Sequence, residues 1–153
     1  EGSRPLLIEV QALVSHSAYG TPTRRASGVD ANRLNLVLAV LAKRAGIGLG
    51  DQDVFVNIVG GIDASHPSID LAMALALVSA KKDIPFPSEV LAIGELGLTG
   101  ELRPVQNTSA RVKEAHRLGL NTVYLAQSEK LPKLSAPILK PFANLKEAIE
   151  FIF

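Results

Sequence analysis

Apolar and polar residues alternate with a period of two in two stretches of the chain, residues 5–17 and 53–59. This period is typical of a half-buried β-strand. Short runs of β-forming residues predict two further strands, at residues 90–93 and 122–126. Residues 98–102 predict a tight hairpin with a glycine in its turn. The chain is therefore expected to contain at least one β-sheet.

Four other stretches have the apolar spacing and the end signals of α-helices. The first two are apolar almost all round, so they are expected to be largely buried, the second as the central helix of the core. Strands and helices interleave, which predicts an α/β or mixed α+β class in one domain covering residues 1–153. With their capping residues, three of the predicted helices cover residues 30–45, 108–118 and 144–153, and the second covers residues 68–80 with Pro67 at its first turn.

Two segments lack a periodic pattern. Residues 19–28 are rich in glycine, proline and hydroxyl side chains, and they predict an exposed loop with Arg24 and Arg25 at its centre. The second segment is punctuated by Pro132, Pro137 and Pro141 and predicts loose structure.

The composition excludes several classes of protein for this chain. The chain has 153 residues, 47% of them hydrophobic, which excludes a disordered protein. It has no cysteine, which excludes disulfides and cysteine zinc sites, and its three histidines are too scattered to form a metal site. The longest apolar run, residues 71–78, is far shorter than the ~20 residues that span a bilayer. We expect a cytoplasmic location and no membrane partner. We also expect the chain to be part of a longer protein, because it starts at Glu1 rather than Met.

Charge is segregated along the chain although the formal net charge is only +1. Residues 1–44 carry +3, residues 45–102 carry −6, residues 103–146 carry +6, and the last seven residues carry −2. Such segregation predicts one positive and one negative face. The alternative is two solvated faces that bind no partner.

No phosphate-binding loop is present in the chain. Gly46, Gly48 and Gly50 are followed by Asp51 and Asp53 rather than by the lysine that such a loop requires. The segment is better interpreted as a connection between a helix and a strand. We therefore expect no ATP hydrolysis by this chain alone.

Ser68 is a candidate nucleophile because it stands at the start of a predicted helix, directly after Pro67. The dipole and the free N–H groups of a helix start favour an alkoxide and an oxyanion. The alternative is a serine in the first turn of a buried helix, where serine is common. A nucleophilic serine also needs a base within hydrogen-bond reach.

The motifs in residues 90–105 and 115–119 resemble the proteolytic domain of the Lon proteases. Residues 66–79 resemble the Lon segment with the serine nucleophile, and the resemblance puts Ser68 on the nucleophile's place and Arg111 on that of the dyad lysine. A dyad lysine acts by losing its proton, which arginine does not do in proteins. Lys113 lies roughly 200° further round a helix and does not replace Arg111. Ile69 and Asp70 also stand where Lon has a small pair.

Residues 5–14, 19–34 and 53–61 are more similar to the C-terminal Lon-like domain of the RadA (Sms) family of bacterial DNA-repair proteins. The resemblance implies a Lon proteolytic-domain-like fold, also described as ribosomal protein S5 domain 2-like. In that family a zinc finger and a RecA-like ATPase precede this domain. Zinc, ATP and magnesium are therefore expected for the full-length protein, with no cofactor in this domain.

The resemblance implies a non-proteolytic scaffold of an ATP-dependent branch-migration protein in recombination and repair. It would assemble a ring, expected to be a hexamer, act with the recombinase RecA, and contact DNA phosphates without sequence specificity. Aromatic residues are only 5% of the chain and Trp is absent, which argues against base stacking. The alternatives are a Lon-type serine peptidase with an altered base and a purely oligomerising module. The basic residues expected to contact DNA are Arg24, Arg25, Arg33, Arg103, Arg111, Lys113 and Arg117.

Arg111 also has a purely structural interpretation. The sequence offers it an internal ion pair with Glu114 or with Asp70. Such a pair would leave its charge unavailable to phosphate.

Overall fold

The amino-terminal part of the chain forms a three-stranded sheet in the computed structural model, which describes residues 4–60, 63–128 and 130–153. Strands β1 (Val10–His16), β2 (Arg24–Ser27) and β3 (Gln52–Ile58) lie in the order β1-β3-β2. β1 is antiparallel to β3, and β2 is parallel to it. The alternating pattern that predicts β1 and β3 is confirmed, although β1 begins later than its pattern does.

The prediction that Arg24 and Arg25 lie in an exposed loop is wrong, because both residues belong to the edge strand β2. This strand is four residues long, and its partner β3 lies some 30 residues further along the chain. A segment this short has no detectable period, so only pairing with β3 reveals it. Strand geometry leaves Arg24 half-buried and Arg25 exposed.

A second sheet is entirely parallel and contains β4 (Val90–Ile93), β7 (Thr122–Ala126) and β8 (Ile138–Phe142), with β7 in the centre. Between β4 and β7 the chain forms the hairpin β5 (Glu95–Leu96) and β6 (Leu102–Arg103), and then helix α3 (Thr108–Arg117). The sequence did not predict β8, because its segment is rich in proline. β8 is an edge strand, where a proline is tolerated.

Three more helices complete the molecule: α1 (Ala31–Ala45), α2 (Asp70–Lys82) and α4 (Leu145–Ile152). Asp30 caps α1 by accepting a hydrogen bond from the N–H of Asn32, and Asn144 caps α4 in the same way from Glu147. Within the described ranges, no helix is both long and apolar enough to cross a membrane.

The two helices expected to be largely buried differ in the structure. α2 is almost wholly buried and packs between the two sheets, as predicted for the central helix. α1 is buried along one side only, since Asn35, Ala39 and Ala42 are exposed on the other. The α-helix α2 also begins later than its pattern, because Pro67–Ile69 form a 3₁₀ turn that contains Ser68.

The hydrophobic residues form two cores, one on each face of the second sheet. The larger core contains α1, α2, α4 and the inward side chains of the first sheet. The smaller core lies under α3 and is formed around Val112 and Ala115. Alternate residues of β7 enter different cores, with Tyr124 in the larger and Val123 and Leu125 in the smaller. The chain is thus a mixed α/β protein with a parallel sheet.

Candidate functional site

The structure brings Ser68 and Arg111 to the walls of one groove of about 760 Å³. The groove lies between residues 5–10, the start of α2, strand β4 and helix α3. Its lining is mostly apolar, and its charged members are Glu9, Glu89, Arg111 and Glu114. Ser68 and Arg111, which the Lon resemblance pairs, therefore line the same groove.

The expectation of free N–H groups around Ser68 is wrong. The N–H of Ser68 donates to Nδ1 of His66 at 3.0 Å, and the next two N–H groups donate to carbonyls of the 3₁₀ turn. The N–H of Leu71 donates to the carbonyl of Gly94 at 3.1 Å. An oxyanion site needs N–H groups that point at the reacting atom. In residues 68–71 every such donor is already engaged.

The guanidinium of Arg111 is held by its own helix start. Its Nε donates to the carbonyl of Gln106 at 2.9 Å. The structure has neither of the ion pairs considered for Arg111, because Glu114 binds Arg117 and Asp70 binds Arg33. The position that the Lon resemblance assigns to the dyad lysine is thus occupied by an arginine, a residue that does not act as a base in proteins.

Arg33 and Asp70 form a buried ion pair that joins α1 to α2. Asp70 is fully buried, and both of its carboxylate oxygens accept hydrogen bonds from Arg33, one of them at 2.8 Å from Nε. The N–H of Leu96 donates to the same carboxylate at 2.9 Å. Hydrogen bonding to Asp70 raises the pKa of Arg33 above its ordinary value. Arg33, expected to contact DNA, therefore already has a carboxylate partner inside the fold.

Two other arginines of the expected DNA contacts form exposed ion pairs. Arg103 binds Glu101 at 2.8 Å, and Arg117 binds Glu114 at 2.6 Å. Hydrogen bonds from Thr99 and then from Arg103 lower the pKa of Glu101 from 4.5 to about 2. The bond to Glu114 raises the pKa of Arg117. Exposed pairs of this kind are weak and are screened by salt, so a phosphate can replace the carboxylate.

The remaining basic residues of the expected DNA contacts differ in whether the fold already supplies a hydrogen-bond partner. Arg24 is half-buried, and its Nη2 donates to the carbonyl of Leu49 at 3.0 Å. Arg25 on β2 and Lys113 on α3 are exposed and have no hydrogen bond or ion pair to the described residues. Among the expected contacts, these two side chains are the ones with no partner in the described residues.

The sequence predicts charged faces, but oppositely charged segments partly pair with each other. Arg33 of the first basic segment binds Asp70 of the acidic one, and Arg103 of the second basic segment binds Glu101. Asp70 is also buried, so it contributes nothing to a surface. In the described residues, no group of three or more histidine, aspartate or glutamate side chains is placed to hold a metal ion.

The sequence reasoning missed Phe55, which lies beside Arg25. Phe55 is the residue opposite Arg25 in the β2–β3 register and opposite Leu13 in the β1–β3 register. These three side chains line a shallow concavity of about 760 Å³ on the outer face of the first sheet. The alternation in β3 was the available signal, because it puts Phe55 on the face opposite to Val54 and Val56.

Comparison with known proteins now identifies relatives. A family model described as subunit ChlI of Mg-chelatase matches residues 31–129, more than half of the chain. The chain belongs to this family. The matched range begins at α1 and ends just after β7, so it includes Ser68, Arg111 and the Arg33–Asp70 pair.

The chain is also similar to proteins named DNA repair protein RadA. It is 46% identical over 153 residues to that of Aquifex aeolicus, covering 100% of the chain and 34% of the relative. The protein of Haemophilus influenzae is 45% identical over 146 residues, which cover 95% of the chain and 32% of the relative. That of Rickettsia prowazekii is 44% identical over 152 residues, which cover 99% of the chain and 34% of the relative. The chain thus spans about a third of the length of these curated relatives and matches their C-terminal region. The resemblance to the RadA family is confirmed.

Proposed function

We propose that this chain is a non-proteolytic, Lon-like domain of a longer DNA-repair protein, and that it contacts the DNA backbone without reading its sequence. The observation that carries the proposal is the match of the whole chain to the C-terminal region of DNA repair proteins named RadA. The longer protein would use ATP, magnesium and zinc outside this domain. It would assemble as a ring, expected to be a hexamer, and act in the cytoplasm with the recombinase RecA in branch migration.

The geometry around Ser68 supports the absence of peptidase activity. Arg111 stands where a dyad base is needed, and its guanidinium does not accept a proton at any working pH. The donors of residues 68–71 are engaged within the fold. The shared groove still makes a serine peptidase with an altered base the second candidate, and labelling of Ser68 by a serine-directed phosphonate would favour it.

The contact to DNA would come from β2 and α3. Arg25 and Lys113 are exposed, and Arg117 would exchange its weak pair with Glu114 for a phosphate. Arg24, Arg103 and Arg111 would contribute after giving up a carbonyl or carboxylate partner. Arg33 is left out of the proposed contact because its partner Asp70 is buried.

The test is the binding of duplex DNA by this chain across a salt series, with the molar mass measured by light scattering. Each phosphate contact contributes about 0.9 to the slope of log K against log salt. The double variant Arg25→Gln and Lys113→Gln should therefore lower the slope by roughly 2. The double variant Lys43→Gln and Lys82→Gln, which removes two exposed charges from the last turns of α1 and α2, is the matched control and should lower the slope much less.

Each result decides between the candidates. An unchanged slope in the double variant would remove Arg25 and Lys113 from the interface. A ring-sized mass without DNA binding at low salt would favour the purely oligomerising module.

A further inference from the structure

We propose that the outer face of the first sheet binds single-stranded DNA, and that Phe55 stacks on an unpaired base. The inference rests on the proposed function, because it names the form of DNA that this part of the basic surface would hold. It also reverses the expectation from composition, which argued against base stacking because aromatic residues are few.

Phe55 lies in the middle of a row that crosses all three strands. Leu13 of β1 is opposite it on one side, and Arg25 of β2 is opposite it on the other. Side chains directly opposite on one face of a sheet are about 5 Å apart at Cβ, so the three form a continuous strip. The strip offers an aromatic ring between an apolar side chain and a guanidinium, which suits a base and its attached phosphate.

The next outward row is polar and uncharged. Gln11, Asn57 and Ser27 are opposite one another in the same registers, and all three are exposed. Two strand positions place this row about 7 Å from the first, close to the spacing of an extended nucleotide chain. Amides and hydroxyls can donate to and accept from both base edges and phosphates.

This face is open in the described part of the chain. Leu13 is 60% exposed, whereas the inward residues Val54, Val56 and Ile58 of β3 are buried in the larger core. A leucine left this exposed beside a ring loses apolar burial that folding normally provides. A flat ligand laid on the strip would restore it.

The distribution of charge favours binding of a phosphate near the middle of the face rather than at its ends. The carboxylates of Glu9 and Asp53 flank it at its two ends, and Oδ1 of Asp53 accepts a hydrogen bond from the N–H of Thr23 at 2.7 Å. Among the described residues that line the face between them, Arg25 carries the only formal charge. A phosphate would lie at the β2 edge, next to Arg25, with its base over Phe55.

The ligand is single-stranded because stacking on Phe55 needs a free base face. In a duplex both faces of each base are covered by neighbouring bases, and only edges and phosphates remain accessible. Phe55 is half-buried on this outer face. An aromatic residue on the open face of a sheet is a known solution for binding unpaired bases. Duplex DNA would meet this surface through Arg25 alone.

The experiment compares a labelled 20-nucleotide oligo-dT with a duplex of the same length, using the whole chain at low salt. Phe55→Leu should weaken the single-strand affinity about 5- to 150-fold, the effect of losing one base–aromatic stack, and leave duplex affinity unchanged. Phe55→Trp should restore it. Phe151→Leu, which removes an exposed aromatic ring on α4, is the control and should have no effect.

A 2-aminopurine base placed in the oligonucleotide gives a second measurement on the unaltered chain. Its fluorescence should be quenched on binding when the base stacks on Phe55, and this readout does not depend on the folding of a variant. Single-strand binding without quenching, or with full affinity in Phe55→Leu, would overturn the stacking and leave the phosphate contact intact. Absence of binding to both DNA forms would instead overturn the proposed function.

Discussion

At the scale of single residues, Asp70 ties distant parts of the chain together. It is the only charged residue classed as buried among the described residues, and its carboxylate binds Arg33 and the N–H of Leu96. A buried carboxylate is costly to desolvate, and the cost is offset only when all of its acceptor positions are used. Here the two oxygens are matched by a guanidinium and a backbone donor.

Replacement of Asp70 should therefore destabilise the fold strongly. Asp70→Ala leaves Arg33 without its partner and the Leu96 N–H without an acceptor, so the free energy of unfolding should fall by about 3–5 kcal/mol. Urea denaturation measures the change. Glu114→Ala breaks an exposed ion pair and should scarcely move the midpoint. Equal effects of the two substitutions would contradict the structural role of Asp70.

Glu101 should give the fold an acid-dependent contribution. Its pKa is lowered from 4.5 to about 2 by bonds from Thr99 and Arg103, so the folded state favours the carboxylate. The resulting stability is present above pH 4.5 and is lost as pH falls toward 2. Glu101→Gln should lower the melting temperature at pH 7, and the difference from the parent chain should shrink between pH 4.5 and 2. Thr99→Ala should weaken this pH dependence; a difference that stays constant to pH 2 would contradict it.

At the scale of elements, the β5–β6 hairpin is built around a side chain that folds back over its own turn. The N–H of Gly97 donates to the carbonyl of Glu101 at 2.9 Å, and Gly100 adopts a positive φ of 87° in the turn. A Cβ at Gly97 would overlap the Glu101 carboxylate. The absence of a side chain at Gly97 therefore makes room for the carboxylate that binds Thr99 and Arg103.

Gly97→Ala should displace Glu101 and break its bonds within the hairpin. We expect the melting temperature to fall by about 2–4 °C in a chain of this size. The same substitution in a Glu101→Ala background should cost much less, because the obstructing carboxylate is gone. Gly48→Ala is the control, since a Cβ there meets nothing within 4 Å. Additive effects of the two substitutions would rule out this coupling.

At the scale of the whole molecule, β7 joins the two hydrophobic cores. Val123 and Leu125 pack under α3, while Tyr124 and Ala126 pack on the side of α2 and α4. Neither core can lose β7 without exposing apolar residues. The two cores are therefore expected to unfold together.

Cavity-forming substitutions in either core should lower the free energy of one and the same unfolding transition. Leu77→Ala in the larger core and Leu125→Ala in the smaller should each cost about 2–5 kcal/mol. Far-UV circular dichroism and tyrosine fluorescence, followed in urea, should give coincident curves in both variants. A separate early transition in Leu125→Ala alone would mean that the smaller core unfolds independently.

The sequence by itself determined the elements that are held by local forces. The caps Asp30 and Asn144, the periodic helices and the strands β1, β3, β4 and β7 follow from patterns within a few residues. The family resemblance also followed from the sequence, because its motifs are continuous in the chain.

The tertiary structure alone decided which residues meet. The edge strands β2 and β8 exist only through pairing with β3 and β7, and no local period marks them. Arg33 lies 37 residues from Asp70, so burial of that pair depends on how α1 packs against α2. The position of Phe55 beside Arg25 depends on a strand register that composition does not contain. Spacing along the chain fixes local hydrogen bonding, whereas contacts between distant segments are fixed by how the sheets and helices pack.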